Sequence, residues 1–353
     1  MSDLKAAIVG YGLAGRSFHA PLIASTPGLA VATVVTANPG RREQALRDHP
    51  EVRVVPAPDE LWDLAAEHDF VVIATRNDAH APLARRAIEA GLAVVVDKPL
   101  APSAEEAATL VENARASGKL LTVFQNRRWD SDQRTLRKLL AEGRLGDVIR
   151  HESRFERWRP EPKADAWREI AGPEQGGGVL LDLGSHLVDQ ALQLFGPVNN
   201  VYAEIDNRRG SAGDDDAFLA LRHRSGGYSH LWMSALTAAP GPRLRVLGTR
   251  AAYVVAEVDG QEDALRSGRR PDDPDTWGIE PQPRWGRLVK GEESEAVPSE
   301  PGAWPAFYTE LERALRVGGP PPVDPADAVA TLEVIDAARR SAAENRRADP
   351  RSL

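Results

Sequence analysis

The feature that most constrains the fold is a glycine-rich loop between an apolar run and a helical stretch near the N-terminus. In a strand–loop–helix unit, Gly10 allows the tight turn, Gly12 lets the backbone approach a pyrophosphate, and Gly15 permits close packing of the helix on the sheet. The loop therefore predicts a dinucleotide site at a helix N-terminus; the alternative is a glycine turn without a ligand. Its residues are Gly10, Tyr11, Gly12, Leu13, Ala14 and Gly15.

The first third of the chain alternates short apolar runs with alanine-rich stretches of helical spacing. Apolar runs without polar alternation suit strands that are buried on both faces, and strand–helix repetition implies a parallel sheet with right-handed crossovers. We therefore predict an α/β, doubly wound Rossmann domain over residues 1–125. The predicted strands are Ala6–Val9, Val31–Thr36, Val52–Val55, Phe70–Ala74, Ala93–Val96 and Leu120–Phe124, and the predicted helices include Ala79–Ala90 and Ser103–Ser117.

The pattern changes after about residue 126. The helical segment Asp132–Glu142 precedes an extended stretch rich in Arg and Trp, Arg150–Arg159, and a glycine run leads into the apolar helix Val179–Phe195. Strand-like segments without regular intervening helices predict an α+β domain over residues 126–353 with an open, mainly antiparallel sheet. The polar segment Glu257–Pro298 is interpreted as a long excursion between strands. The remaining predicted strands are Val201–Ile205, Phe218–Arg222, Tyr228–Ser234, Leu244–Leu247 and Ala252–Ala256, and the closing helices are Trp304–Arg316 and Pro325–Arg340.

Composition excludes several classes of function. The 353 residues include no cysteine, which excludes disulfides, thiolate metal sites and cysteine nucleophiles. The formal net charge is -8, unlike the basic excess of a nucleic-acid-binding protein. No apolar run approaches the roughly 20 residues that span a bilayer, and the N-terminal sequence lacks the pattern of a cleavable signal. We expect a cytoplasmic protein without nucleic-acid or membrane partners. Because an open sheet leaves one face to be covered, we also expect a homodimer or homotetramer.

The end of the second predicted strand bears on the choice between NAD and NADP. An acidic residue there would bind the ribose 2′-hydroxyl of NAD and repel a 2′-phosphate. The sequence instead has Thr36 and Asn38, without a carboxylate, followed by Arg41 and Arg42. A guanidinium can hold a phosphate with two parallel hydrogen bonds. The segment favours NADP; NAD is the alternative if both arginines are only exposed residues at a helix start.

Two further segments carry candidate chemistry. Asp97 and Lys98 follow the fifth predicted strand, at the sheet edge where ligands bind, and Lys98 can stabilise developing alkoxide charge. A spacing of four predicts that Asp182 and His186 share one helix face, where the carboxylate would orient the histidine for proton transfer. The alternatives are a surface lysine and a purely structural Asp–His pair. No complete ligand set accompanies this pair, so no metal site is predicted.

These motifs resemble those of the glucose–fructose oxidoreductase, inositol dehydrogenase and MocA family. The Glu-Lys-Pro motif of the family is similar to Asp97-Lys98-Pro99, and its Asp-x-x-x-His pair is similar to Asp182 and His186. The sequence departs from the family where Asp97 replaces Glu and where Arg76 stands in place of a common proline. The resemblance is closer to one branch, the NADP-dependent scyllo-inositol dehydrogenases, through residues 10–15 with 17–19, 126–130, 182–190, and 260–265 with 277–278. It implies a cis Lys98–Pro99 peptide as one option, and it implies that the cofactor site includes Thr75, Asn77, His80, Asp97 and Lys98.

The resemblance implies reversible oxidation of a secondary alcohol on a cyclic polyol or sugar. His186 would take the hydroxyl proton as general base, Asp182 would orient His186, and Lys98 would bond the reacting oxygen. Three alternatives remain open: a nonenzymatic NADP-binding sensor or regulator, a sugar oxidoreductase with tightly bound cofactor, and a reductase of an imine or pyrrole. The further candidates for the substrate pocket are Arg127, Trp129, Arg159, Trp167 and Arg168.

Overall fold

The computed structural model describes residues 2–162, 167–273 and 275–350. The first third of the chain forms a six-stranded parallel sheet with helices packed against it. The strand order is β3-β2-β1-β4-β5-β6, and all five pairs are parallel. This order confirms the predicted doubly wound Rossmann fold, and it places the reversal of strand order between β1 and β4. The elements are β1 (Leu4–Val9), α1 (Ala20–Ala24), β2 (Leu29–Val35), α2 (Pro39–Asp48), β3 (Arg53–Val55), α3 (Pro58–Trp62), β4 (Phe70–Ile73), α4 (His80–Glu89), β5 (Ala93–Asp97), α5 (Ala104–Ser117) and β6 (Leu121–Phe124).

Local sequence explains why these elements form where they do. The strands β4, β5 and β6 consist almost wholly of buried residues, as expected for strands covered on both faces. Helix α5 begins after Ser103, whose hydroxyl accepts a hydrogen bond from the Glu106 N–H at 3.3 Å. It ends at Gly118, which adopts the left-handed conformation with φ of +66°. These boundaries place the carboxyl ends of the parallel strands along one edge of the sheet.

The rest of the chain forms an eight-stranded sheet in the order β14-β13-β12-β11-β7-β10-β9-β8. Every neighbouring pair is antiparallel except β7 and β10, which are parallel. The prediction of a mainly antiparallel second sheet is thus confirmed. The elements are α6 (Ser131–Ala141), β7 (Val148–Glu156), α7 (Trp167–Ile170), α8 (Val179–Asp182), α9 (Gly184–Phe195), β8 (Val198–Asp206), β9 (Asp216–His223), β10 (Tyr228–Ser234), β11 (Leu244–Gly248), β12 (Ala252–Val255), α10 (Gln261–Arg266), β13 (Arg287–Lys290), β14 (Glu293–Ala296), α11 (Pro305–Val317) and α12 (Pro325–Glu344).

One face of the second sheet is packed and the other is partly open. Helices α9 and α12 cover the packed face, α12 also contacts α5 of the Rossmann domain, and a continuous apolar core joins the two sheets. The other face presents Phe218, His230 and Trp232, which remain partly exposed. That a second copy of the chain covers this face stays a prediction. No helix within the described ranges is both long and apolar enough to cross a membrane.

The segment Glu257–Pro298, interpreted as a long excursion between strands, contains strands of its own that were not predicted. The segment contains α10 and the hairpin of β13 and β14, which extends the sheet at its edge. The sequence did not predict these strands, because an edge hairpin buries little apolar surface and the residues of β14 are mostly exposed and polar. Pro274 of this segment lies outside the described residues. Helix α10 packs against the first helical turn of the Rossmann domain, so the excursion reaches the glycine loop.

Gly10 and Gly40 provide a matched test of the tight turn. Gly10 has φ of +97°, and a Cβ there would collide with the carbonyl oxygen of Ala74, whereas a Cβ on Gly40 in the first turn of α2 has room. Gly10→Ala should therefore lower the free energy of unfolding by about 1–3 kcal/mol. Gly40→Ala should leave that free energy unchanged or raise it slightly, because alanine favours helix. Urea denaturation without cofactor measures both variants, and equal stability of the two would contradict this account.

Candidate active site

The glycine loop forms one wall of a groove at the carboxyl ends of the parallel strands. A Cβ on Gly15 would collide with the carbonyl oxygen of Gly10, so the helical turn can approach the loop this closely only with glycine there. Gly12 differs, because the nearest atom to a Cβ there is a guanidinium nitrogen of Arg41 at 4.0 Å. Gly12 therefore opens onto the groove, as a backbone that approaches a phosphate must.

A first cavity, of about 370 Å³, lies between the glycine loop and the start of α2. Asn38 caps α2 by accepting a hydrogen bond from the Arg41 N–H at 3.0 Å, which fixes the first helical turn. The Arg41 side chain lines the cavity together with Arg16, whereas Arg42 donates to a backbone carbonyl of β3 at 3.3 Å. Two guanidinium groups therefore face this space. No carboxylate is among the described residues that line it, which are Tyr11, Gly12, Leu13, Arg16, Asn38, Gly40, Arg41 and Gln44.

A segment of the second domain also reaches the first cavity. The buried Tyr11 donates its hydroxyl hydrogen bond to Asp48 at 3.0 Å, and burial together with Asp48 raises the pKa of Tyr11 well above its usual value. The positive charge of Arg270, just beyond α10, acts on this same tyrosine. Ser25 donates to Asp272 at 2.6 Å and so ties the segment to the Rossmann domain. Arg270 is thus a third cation in this region.

Asp97 and Lys98 lie at the exit of β5, and the Lys98–Pro99 peptide is cis. The Asp97 carboxylate accepts a hydrogen bond from the Lys98 N–H at 2.9 Å and lies 3.8 Å from the His19 ring. Burial raises the pKa of Asp97, but His19 and Lys98 outweigh burial and hold that pKa below its usual value. Beneath the turn, Nδ1 of the fully buried His80 donates to the Pro99 carbonyl at 2.7 Å. This hydrogen bond from His80 therefore holds the turn that carries Lys98 in place.

A second cavity, of about 330 Å³, lies at the junction of the two domains. The Rossmann domain contributes the glycine loop and the exits of β5 and β6, and the second domain contributes α7, α8, the start of α9 and the chain after β7. Polar and charged residues outnumber apolar ones among the described residues that line it. The predicted residues that meet there are Leu13, Ala14, Asp97, Lys98, Arg127, Arg159, Trp167, Arg168, Asp182 and His186.

The apolar helix predicted over 179–195 is interrupted at Leu183, which separates α8 from α9. This break corrects the expectation that Asp182 and His186 pair on one helix face, because the i,i+4 relation holds only along a continuous helix. The Lys98 ammonium donates at 2.7 Å to both the carboxylate and the backbone carbonyl of Asp182. Within the described residues, no hydrogen bond joins the Asp182 carboxylate to the His186 ring. Asp182 therefore positions Lys98 directly.

The electrostatic surroundings keep Asp182 ionised. Its carboxylate lies 2.7 Å from the Lys98 ammonium and 3.4 Å from the guanidinium of Arg168. Burial raises the pKa of Asp182, but Lys98, Arg168 and Arg157 outweigh burial and hold that pKa well below its usual value. A partly buried ion pair of this kind gives Lys98 a fixed position above the cavity.

His186 lines the cavity as a neutral ring. It is 6% exposed, and its Nδ1 is buried without a hydrogen-bond partner, so the other ring nitrogen is the one open to the cavity. Burial lowers the pKa of His186 well below 6.5, and the charges of Lys98 and Arg127 lower it further. A neutral imidazole can accept a proton near neutral pH. The site thus combines a proton acceptor with a fixed cationic hydrogen-bond donor.

Some predicted residues lie elsewhere. Asn77 donates to the carbonyl of Gly176 at 2.7 Å and so joins the two domains. Trp129 packs edge-on against Phe307 with ring centroids 5.9 Å apart. The contacts of Asn77 and Trp129 suit a structural role in supporting the site. The predicted cofactor or substrate residues that line neither cavity, among the described residues, are Gly10, Gly15, Thr36, Arg42, Thr75, Asn77, His80 and Trp129.

Several residues that line the cavities were not predicted. Arg157 follows β7, and the alternation of an extended chain would have placed it on the same side as Arg159 and opposite Trp158, which is 59% exposed. The others come from segments whose approach depends on the tertiary fold. Examples are Arg16 and Gln44 at the first cavity, and Arg209, Glu262 and Arg266 at the second.

Comparison with known protein families matches nearly the whole chain. Residues 4–125 match the model described as the oxidoreductase family, NAD-binding Rossmann fold. Residues 137–349 match the model described as the oxidoreductase family, C-terminal alpha/beta domain. The two models bear the names of the Gfo, Idh and MocA proteins.

Individual relatives are similar over almost their full lengths. An uncharacterized oxidoreductase of Escherichia coli, YdgJ, is 40% identical over 97% of each chain. The scyllo-inositol 2-dehydrogenase (NADP(+)) IolW of Bacillus subtilis is 35% identical over 98% of this chain and 96% of its own. Among solved structures, yvaA of Bacillus subtilis has a TM-score of 0.92 at 34% identity, covering 99% of this chain and 98% of that one. YPO2259 of Yersinia pestis has a TM-score of 0.89 at 39% identity, covering 100% and 98%.

The charge arrangement predicts how His186 titrates. Because burial and neighbouring cations lower its pKa, the ring should remain neutral as the pH falls through 6.5. Lys98→Met removes one of those cations and leaves Asp182 free to stabilise the imidazolium, so the pKa of His186 should rise. Nuclear magnetic resonance of the ring protons measures both values. The control is Lys119→Met, at an exposed lysine before β6 and thus at the opposite sheet edge. A normal pKa in the unmodified protein, or an unchanged pKa in Lys98→Met, would refute the assignment.

Proposed function

Because the chain belongs to the Gfo/Idh/MocA family of oxidoreductases, we propose that it is an NADP-dependent dehydrogenase acting on a secondary alcohol of a cyclic polyol or sugar. The observation that carries this proposal is the convergence of Lys98, Asp182 and His186 on one cavity at the carboxyl edge of the parallel sheet. The similarity to a scyllo-inositol 2-dehydrogenase over nearly the whole chain supports it.

The side chains divide the work of alcohol oxidation among them. When bound, the nicotinamide supplies the acceptor for the hydride that leaves the alcohol carbon. The neutral ring of His186 takes the hydroxyl proton at the nitrogen open to the cavity. The Lys98 ammonium donates a hydrogen bond to the same oxygen and stabilises the negative charge that develops there. Asp182 keeps this ammonium in place through its hydrogen bond of 2.7 Å.

The residues present fit a dinucleotide with a 2′-phosphate. Gly12 leaves open space where a pyrophosphate would approach, since no atom other than the Arg41 guanidinium comes within 4 Å of a Cβ built there. Beyond it, Arg41 and Arg16 line the first cavity, and no carboxylate among the described lining residues would repel a phosphate. Guanidinium groups at the end of the second strand suit NADP. These contacts support NADP over NAD.

The alternative of a nonenzymatic sensor explains the site less well. Binding of a dinucleotide depends mainly on the glycine loop and the first cavity. It does not require a lysine held by a partly buried carboxylate next to a buried neutral histidine, an arrangement that burial makes energetically unfavourable. Perturbed titratable groups that meet in a cleft are typical of catalysis. The geometry therefore favours an enzyme.

Loss of either reacting side chain should abolish most turnover. Lys98→Ala removes the donor to the reacting oxygen and His186→Ala removes the base, so each should lower kcat by about 10²–10⁴-fold. NADPH binding, measured by fluorescence titration, should largely persist, because the first cavity is unaffected. Lys119→Ala serves as the control. Near-normal turnover of polyols and sugars by both variants would contradict this mechanism.

Arg41 and Arg42 form a matched pair for cofactor selectivity. Arg41 lines the first cavity, whereas its neighbour Arg42 bonds a backbone carbonyl of β3. Arg41→Ala should weaken NADPH binding by about tenfold to a hundredfold, as expected for loss of a charge-assisted contact, and should change NADH binding far less. Arg42→Ala should affect both cofactors little. Titration of each variant with NADPH and NADH measures this, and an equal loss for both cofactors in Arg41→Ala would remove the NADP assignment.

A further inference from the structure

The cavity at the domain junction carries more positive charge than a neutral alcohol requires. Besides Lys98, several guanidinium groups line it, contributed by the Rossmann exit of β6 and by the second domain. Phosphates of the dinucleotide belong at the glycine loop, on the other side of the space. The guanidinium groups are those of Arg127, Arg157, Arg159, Arg168, Arg209 and Arg266.

Among the described residues, five of these guanidinium groups lie within 4.0 Å of a carboxylate, namely those of Arg127, Arg159, Arg168, Arg209 and Arg266. Arg127 lies 3.3 Å from Asp130 and 2.5 Å from Glu262. Arg209 lies 3.3 Å from Asp215 and 2.9 Å from a second carboxylate. Pairs of this kind hold the wall of the cavity together, and they offer little free charge to a ligand.

Arg157 differs from these paired arginines. Its backbone is fixed, because its N–H donates to the Ser234 carbonyl at 2.9 Å and its carbonyl accepts from the Thr237 N–H at 3.0 Å. Its side chain is partly buried and lines the cavity. Within the described parts of the chain, its guanidinium has no hydrogen bond and no ion pair within 4.0 Å. Burial lowers the pKa of Arg157 and outweighs Asp182 and Glu262, which raise that pKa, whereas the charges of Arg159 and Arg127 lower it further.

Three cations act on the single carboxylate of Asp182. They are Lys98, Arg168 and Arg157, each of which lowers the pKa of Asp182. Lys98 and Arg168 lie within 4.0 Å of it, and His186 beside them is neutral. Arg157 is therefore left with a positive charge in a partly desolvated position. Such a charge is unfavourable unless an anion meets it.

We propose that the substrate carries an anionic group, a carboxylate or a phosphate, which Arg157 binds next to the reacting alcohol. This inference rests on the proposed function and narrows its substrates from polyols and sugars in general to sugar acids or sugar phosphates. The planar guanidinium of Arg157 can form two parallel hydrogen bonds to either group. The adjacent Arg168, whose side chain also stacks on Trp167 with 4.6 Å to the ring centroid, adds positive potential on the same side.

The test compares substrates that differ only in the anionic group. Matched sets are D-glucose, D-glucuronate and D-glucose 6-phosphate, and myo-inositol with its monophosphate, each assayed for kcat/KM with NADP and with NAD. The unmodified enzyme should favour at least one charged member by about tenfold to a hundredfold, the range for one charge-assisted contact. The charged member with the higher kcat/KM relative to its neutral counterpart shows whether the site prefers a carboxylate or a phosphate. Arg157→Gln should lose this preference through a higher KM, and the neutral members should change far less.

The control is Arg224→Gln, which removes the same charge from an exposed turn between β9 and β10. It should retain the preference, because it leaves the cavity intact. Equal kcat/KM for charged and neutral members, or the same loss for both in Arg157→Gln, would overturn the inference while leaving the proposed function standing.

A binding measurement separates the two levels of the proposal. Calorimetric titration of the NADP-loaded enzyme with each member of a set reports affinity without turnover. Tighter binding of the charged member, lost in Arg157→Gln and kept in Arg224→Gln, supports the anion site. Oxidation of no member with either cofactor would overturn the proposed function, and absence of any charge-dependent binding would overturn the anion site.

Discussion

The ion pair of Lys98 and Asp182 is the interaction on which the rest of the site depends. It joins the turn after β5 in the Rossmann domain to the helix break in the second domain, with 2.7 Å between ammonium and carboxylate. Each partner is supported by its own surroundings: His80 holds the turn from below, and Leu183 interrupts the helix so that Asp182 offers both its carboxylate and its carbonyl. The pair therefore fixes the donor of the site and couples the domains across the cavity.

A second consequence follows from the charge that surrounds this pair. The cations around Asp182 favour its ionised form, and Lys98 adds to the effect of burial in disfavouring a charged His186. The same cations would stabilise an alkoxide that forms in the cavity, and they would attract an anionic substituent on the substrate. In the proposed mechanism, proton acceptance, charge stabilisation and substrate selection would therefore all depend on this group of cations.

The sequence predicted the fold well where its pattern reflects burial, and less well where the pattern reflects exposure or distance. The apolar runs of the parallel sheet and the strand Tyr228–Ser234 were located almost to the residue. The edge hairpin within Glu257–Pro298 was missed because its residues are mostly polar and exposed. The pairing of Asp182 with His186 was expected from a continuous helix, and a one-residue interruption redirected Asp182 to Lys98. Arg157 was missed although its spacing of two from Arg159 places both on one side of an extended chain, and both line the second cavity.

The sequence by itself determined what local chemistry dictates. Backbone sterics require glycine at Gly10 and Gly15, buried strands require apolar runs, and the lack of an acid after β2 leaves the first cavity free for a phosphate. Only the tertiary structure decided which charges meet. Lys98 and Asp182 are 84 positions apart in the sequence. The tertiary structure likewise decides that Arg42 bonds a carbonyl of β3, that Arg157 lines the second cavity, and that His80 bonds the carbonyl of Pro99. Electrostatic interactions act through distance in space, and a one-dimensional pattern fixes that distance only within a single helix or strand.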